Sequence, residues 1–286
     1  MRDNRFETLV LRDELQQLWQ GKDVFTEVQS IAGEIARKVP GRETLRFKLA
    51  GHVYYRKLHT GVGWREIVKN LLQFRLPIIG AENEWHALNR LAELQVPSLI
   101  PVAFGKRYRN PACQLSFIVT RELAGAVELD KYLQAQVQPL CFRQRLALID
   151  ELARIARTIH RHGINHRDFY LCHFLLDPVS LNGLTAYARP RLYLVDLHRA
   201  QIRQRVPRRW LIKDVASLYF SAMDLGLTKN DMWRFLIRYF ELPLAVILRE
   251  KKFLLLQIQW RANKLYRREQ RLQQRVAQSN GRHNHK

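Results

Sequence analysis

Two carboxylates 28 residues apart offer the most chemistry in this chain: Asp168 in INHRDFYLCHFLLD and Asp196 in LYLVDLHRA. The first closes a His166-Arg167-Asp168 triplet that follows RQRLALIDELARIARTIHRH. In that stretch Leu146, Ile149, Leu152, Ala156 and Ile159 recur at helical steps, and Gly163 stands where a C-cap would end it. The second follows the apolar run LYLV. A loop carboxylate can take the proton of an attacking hydroxyl, and a carboxylate at a strand end can hold a hard cation such as Mg²⁺ through oxygen. Phosphoryl transfer from ATP needs little more, because it proceeds mainly by positioning and by cancelling charge. His166, Arg167 and Asp168 are the candidate catalytic residues, and Asp196 the candidate metal ligand. Each carboxylate also has a plainer reading, as a loop acid beside Arg167 or as a strand-end cap.

Other elements must bring phosphate and cation to these carboxylates. TLRFKL and HVYYRKLH read as two strands around a tight turn at Ala50 and Gly51, with Lys57 near the end of the second. Lys57 is the candidate phosphate anchor. ENEWHALNRLAEL puts Trp85, Leu88 and Leu91 on one helical face with Glu84 beside it; Glu84 would pair with Lys57, and Glu82 is the alternative two residues away. GWREIVKNLLQF reads as a further helix ended by Pro77. The strands LIPVAFGKR and QLSFIVTREL lead to a crossover near Thr120 to Leu123, where Glu122 and Leu123 are candidate nucleotide-binding positions. A strand-rich part followed by a helix-rich part predicts an α+β, two-lobed, protein-kinase-like fold, with a β-rich N-terminal lobe and a mainly helical C-terminal lobe. The expected division is 1–120, 121–250 and a basic tail helix over 251–286.

Two features depart from the protein-kinase pattern. Five residues after Asp168 stands His173 in place of a metal-binding asparagine; it is a second metal-ligand candidate, a loop hydrogen bonder or a polar core residue. No GxGxxG is present, so another loop, around Ala50 and Gly51, is expected over the phosphates.

With 286 residues, 47% of them hydrophobic, the chain can bury a sizeable core, which excludes a disordered protein. The 48 Lys and Arg against 26 Asp and Glu give a net charge of +22, which favours anionic partners. Cys113, Cys141 and Cys172 form neither a CxxC pair nor a zinc-finger spacing, which suits a reducing compartment. The N-terminus predicts no signal peptide, and no window predicts a bilayer span. From Arg249 onward, 11 Lys or Arg face two Glu. That tail faces anionic lipid, or packs Phe253, Leu254, Ile258 and Trp260 into the C-terminal lobe. After VDL, the run HRAQIRQRVPRRWLIK carries Arg199, Arg203, Arg205, Arg208, Arg209 and Lys213 without an acid, at the place of the substrate segment in kinase-like enzymes. The five arginines are candidate substrate-binding residues, with a solvated basic face as the plainer reading.

Through TLRF, YYRKLH, EIVKNLL, LPIIGAENEWHAL, SFIVTREL, GINHRDFYLCHFLL, VDLHRAQIR, VPRRW, KD and SLYFSAMDLGLT, the chain resembles the lipopolysaccharide core heptose(I) kinases, within the group that includes Kdo kinases. His173 belongs to that family's pattern. The resemblance implies an ATP- and Mg²⁺-dependent transfer to a hydroxyl of the first heptose of the inner core. It implies a cytoplasmic enzyme, peripheral on the anionic face of the inner membrane. It carries over Asp168 as base, Asp196 as metal ligand and Lys57 with Glu84 as phosphate anchor. Asp214 in KDVASLYF becomes the residue that steadies the catalytic loop. Acyl carrier protein is a candidate partner, and no nucleic acid is expected. Two rivals stay open: a related kinase acting on Kdo, an aminoglycoside or a protein tyrosine, and a non-catalytic basic module that binds RNA or membrane.

Overall fold

The computed structural model describes residues 7–61, 63–64, 80–108, 110, 112–185 and 188–283. Apart from its first two residues, the expected helix GWREIVKNLLQF lies outside the described residues, as does Pro77. The chain divides into two compact units, Met1–Gly125 with Leu194–Ala200, and Ala126–Tyr193 with Gln201–Lys286.

The first unit is built on a six-stranded antiparallel sheet of β1 (Glu7–Leu11), β2 (Glu34–Val39), β3 (Arg42–Leu49), β4 (His52–His59), β5 (Ile100–Arg107) and β6 (Leu115–Arg121). Its spatial order is β1-β5-β6-β4-β3-β2. The β3–β4 hairpin turns on Ala50 and Gly51, both at positive φ (49° and 82°), as a two-residue hairpin loop requires. Helices α1 (Asp13–Leu18) and α2 (Val24–Ser30) supply Leu15, Phe25 and Val28 to a core with Phe47, Tyr54, Phe117 and Val119. The Asp23 carboxylate caps α2 by accepting from the Phe25 N–H at 3.1 Å. Helix α3 (Glu82–Glu93) buries Glu84, Trp85, Leu88 and Leu91, with Trp85 stacked on Phe104 at 5.3 Å.

The second unit is mainly helical. The predicted long helix is α5 (Phe142–Arg161), preceded by β7 (Val127–Glu128) and α4 (Leu129–Gln134). Gly163, at φ 75°, ends it where a Cβ would come within 1.6 Å of the Arg203 carbonyl oxygen, so only glycine fits. This close approach pairs β8 (Ile164–Asn165) with the later β11 (Gln201–Ile202). Between them run β9 (Phe174–Leu176), the short α6 (Pro178–Asn182) and β10 (Leu192–Leu194). Helices α7 (Arg208–Ala222), α8 (Lys229–Phe240), α9 (Leu244–Glu250) and α10 (Lys252–His283) complete the unit. Ile258 and Ala262 of α10 are buried, whereas Phe253 and Trp260 are 77% and 65% exposed, so the tail packs with one face only. Helix α10 runs to His283. No helix among the described residues is long and apolar enough to cross a membrane.

Candidate functional site

In the first unit Lys57 lies mid-sheet, opposite Thr44 of β3 and Ile118 of β6. Its Nζ is 2.6 Å from Glu84 Oε1; the Glu84 side chain is 1% exposed and that of Lys57 17%. A buried carboxylate is tolerated only when it is paired, so this contact fixes both side chains. Glu82 pairs instead with Lys106 at 2.6 Å, which leaves Glu84 as the acid at Lys57.

Asp196 reaches the same lysine from far along the chain. The Leu194 N–H donates to the Pro97 carbonyl at 2.9 Å, the Ser98 hydroxyl donates to the Leu194 carbonyl, and Leu197 is fully buried. These contacts tie the segment to the strand-rich unit. Asp196 Oδ1 lies 3.9 Å from Lys57 Nζ and contacts His198 Nδ1. The residue sits at φ 62°, ψ 51°, a left-handed conformation that a non-glycine residue adopts at a cost on the order of 1 kcal/mol. Close by, His59 is 3% exposed; burial first, then the charges of Arg42, Lys57 and His198, pushes its imidazole down to about 3.

Glu122 turns its carboxylate to Arg46, which donates two bonds of 2.6 and 3.0 Å, and to the Tyr55 hydroxyl at 3.3 Å. The Arg46 hydrogen bond is the main reason its carboxyl lies below the usual value. Its N–H donates to the Val53 carbonyl at 2.9 Å, and Leu123 follows half-buried.

In the second unit the catalytic-loop segment is held chiefly through its backbone. Asp214 of α7, fully buried, accepts from the N–H groups of His166 at 2.7 Å and Arg167 at 2.9 Å. Arg167 is left-handed at φ 75°, and that conformation aims its N–H at Asp214. Asp214 also lies 3.4 Å from His160 Nε2, while His160 Nδ1 meets the Tyr239 hydroxyl at 2.7 Å. Burial, reinforced by Asp214, pushes the Tyr239 hydroxyl well above the ordinary value. His166 is fully buried and stacks on His173, with ring centroids 5.7 Å apart, so its place is beneath the loop. His173 Nδ1 lies 2.5 Å from the Asp168 carbonyl oxygen, and Phe169 and Phe174 are buried against each other. The Asp168 carboxylate, 19% exposed, has Lys213 Nζ at 3.6 Å.

Of the five arginines, Arg203 donates to Asn165 Oδ1 at 2.7 Å and Gln201 Oε1 at 2.6 Å, which braces the β8–β11 pair. Arg205, Arg208 and Arg209 are exposed, with Arg209 5.4 Å from the Trp210 ring centroid. Arg199 belongs to the strand-rich unit.

Among the described residues no group of three or more His, Cys, Asp or Glu gathers as a protein-only metal cage. Mg²⁺ needs none, since it is commonly held by one or two carboxylates together with substrate phosphates and water. Asp196 suits that role as an oxygen donor; His173 offers a nitrogen, and its Nδ1 faces the Asp168 carbonyl. Sequence reasoning passed over His59, His160, His198 and Trp210. Their roles depend on contacts made in the fold: His160 meets Asp214, His198 meets Asp196, and Trp210 lies against Arg167, Arg209 and Lys213.

A model of the lipopolysaccharide kinase (Kdo/WaaP) family matches residues 26–239. The lipopolysaccharide core heptose(I) kinase WaaP of Pseudomonas aeruginosa is 46% identical over 267 residues, covering 92% of this chain and 97% of that protein. The protein of the same name from Escherichia coli strain K12 is 43% identical over 262 residues, covering 91% and 98%. A solved structure, WaaP in complex with acyl carrier protein, matches with a TM-score of 0.77 at 42% identity, covering 91% of this chain and 99% of that one. The chain belongs to the lipopolysaccharide kinase (Kdo/WaaP) family.

Proposed function

We propose that the protein is a kinase that transfers the γ-phosphoryl group of ATP to a hydroxyl of the first heptose of the lipopolysaccharide inner core. The observation that carries the chemistry is the Lys57 ammonium, 2.6 Å from buried Glu84 and 3.9 Å from Asp196. A cation so fixed can neutralise nucleotide phosphates beside a carboxylate able to hold their metal. The heptose acceptor rests on the relatives, heptose(I) kinases by name that align with nine-tenths of this chain.

Asp168 accepts the proton of the attacking hydroxyl, and Asp214 fixes the loop that presents it. Asp196 would hold Mg²⁺, which when bound would neutralise charge on the phosphate oxygens. Glu122 and Leu123 carry the nucleotide side of the site, and Arg205, Arg208 and Arg209 give anionic acceptor groups bidentate partners. The test uses labelled ATP with core oligosaccharides that are complete, lack Kdo or lack heptose. Label should enter only the heptose-bearing acceptors, and Asp168→Ala should abolish it. Label in a heptose-free acceptor would reject the substrate.

We also propose acyl carrier protein as a partner. Besides the solved relative, a specific feature favours it: a cavity of about 910 Å³ in the helical unit, lined by Leu133, Leu148, Leu152, Leu218 and Leu255. Its size and apolar wall suit a long hydrocarbon chain. Co-purification with a carrier protein of acylated mass is the expected result, and replacing Leu152 by Glu should abolish it. The enzyme works at the cytoplasmic face of the inner membrane. The exposed Phe253 and Trp260 lie on a helix with a strong excess of Lys and Arg, a composition suited to an anionic lipid surface.

A further inference from the structure

A phosphoryl group in transit spreads negative charge over its equatorial oxygens, and catalysis requires positive charge fixed beside them. The catalytic-loop segment supplies little of its own after Asp168. Phe169 is buried, Tyr170 packs edge-on against Phe220 with centroids 6.2 Å apart, and His173 turns Nδ1 onto the Asp168 carbonyl oxygen. The cation arrives from elsewhere. Lys213, 45 residues further along the chain and carried by α7, places Nζ 3.6 Å from Asp168 Oδ1.

Its position is built rather than incidental. The side chains of Lys213 and Asp168 are 18% and 19% exposed, unlike the mobile surface pairs that contribute almost nothing. Trp210, three residues earlier on the same helix, lies with its ring centroid 5.7 Å from Nζ. Arg167 and Arg209 approach the same ring at 4.9 and 5.4 Å, so three cations surround one indole beside the reacting carboxylate. The next residue, Asp214, anchors the backbone of His166 and Arg167. Consecutive residues of one helix therefore fix the loop and set an ammonium on its carboxylate.

We propose that Lys213 is a catalytic residue whose ammonium binds an equatorial oxygen of the phosphoryl group during transfer. This rests on the reading of Asp168 as the base. An attacking hydroxyl that gives its proton to Asp168 must lie within hydrogen-bond reach of that carboxylate, about 3 Å. The phosphorus it attacks is adjacent, which brings the equatorial oxygens within reach of Nζ. The acceptor O–P bond forms, the bond from the γ-phosphorus to the bridging oxygen breaks, and ADP leaves with that electron pair. The proton goes to Asp168, and Lys213 stays an ammonium throughout.

The experiment is steady-state kinetics of the full chain with ATP and complete core oligosaccharide, on Lys213→Met, Lys213→Gln and Lys213→Arg with Asp168→Asn as control. The neutral variants should lose on the order of 10²-fold to 10³-fold in kcat, as removal of one transition-state partner does, while both KM values and Tm hold. Lys213→Arg should recover part of the loss. Wild-type kcat in either neutral variant overturns the proposal. So does a raised acceptor KM at constant kcat, which would make Lys213 an acceptor anchor. If one neutral variant fails to fold, the other carries the test. Activity in Asp168→Asn would defeat the base assignment itself, whereas an inactive Asp168→Asn beside a fully active Lys213→Gln defeats Lys213 alone.

Discussion

In the strand-rich unit the reactive charges hold one another: Lys57 is fixed by Glu84 and lies near Asp196, and each of the three comes from a different stretch of chain. In the helical unit the loop that bears Asp168, the proposed base, is held mainly through its backbone: Asp214 accepts from the N–H groups of His166 and Arg167, and His173 meets the Asp168 carbonyl, while the Asp168 carboxylate has Lys213 Nζ at 3.6 Å. A site held by side-chain pairs changes throughout when one member goes. A site held by its backbone survives the loss of the very group that reacts.

The largest test of that contrast compares Asp214→Ala with Asp168→Ala. Asp214→Ala leaves one buried and one half-buried N–H group without their acceptor and Arg167 without support for its left-handed backbone. Turnover should fall at least ~10²-fold, and stability by about 3 kcal/mol, the scale of losing a buried charged acceptor. Asp168→Ala should abolish turnover with Tm almost unchanged. Thermal melts read beside kinetics decide it, and equal Tm losses would break the contrast.

A somewhat smaller effect is expected at Lys57. Lys57→Met strands the Glu84 carboxylate at 1% exposure and should cost roughly 3 kcal/mol, because one partner of a buried pair is left uncompensated. The double variant with Glu84→Gln should recover much of that stability but no activity. A denaturant-midpoint double-mutant cycle measures the coupling, and additive losses would show that the two side chains do not rely on each other.

The contrast also explains what the sequence could tell. The catalytic loop is legible because most of its parts are contiguous: the helix that leads in, Gly163, the His166-Arg167-Asp168 triplet and His173. The Ala50–Gly51 turn is legible for the same local reason. The Lys57 partner is legible as Glu84 with Glu82 as the alternative, because both share the first turn of α3; in the fold Lys57 pairs with Glu84 and Lys106 with Glu82. Strand β2 escapes detection because every residue is exposed, so no alternation marks it. Lys213 is visible only as one cation in a basic run, and helix α7 alone selects it. The tail's sequence does not say which of its apolar residues pack: Ile258 is buried and Trp260 exposed, a difference that only the neighbouring helices decide.

The smallest effect concerns His59, whose imidazole is pushed from 6.5 down to about 3 by burial and by Arg42, Lys57 and His198. In the unfolded chain the ring takes a proton as pH falls through 6.5, while in the fold it stays neutral until about 3. The unfolded state therefore binds the extra proton across that window, and stability declines with acidification. Above 6.5 both states are neutral and the group contributes no pH dependence. At pH 5.5 the loss from this group should be on the order of 1 kcal/mol. Asp23, held down to about 2 mainly by its hydrogen bond from Arg107, acts in the same direction only at lower pH, as it protonates below the ordinary 3.8. Comparing the wild type with His59→Leu cancels such carboxylate contributions. The variant should show a flatter fall of Tm between pH 6.5 and 4.5, and Lys57→Met, which removes one repelling charge, should fall between the two. Identical slopes in all three would mean that the ring is not held neutral beside Lys57, and the strand-rich unit would lose its claim to closely coupled charges.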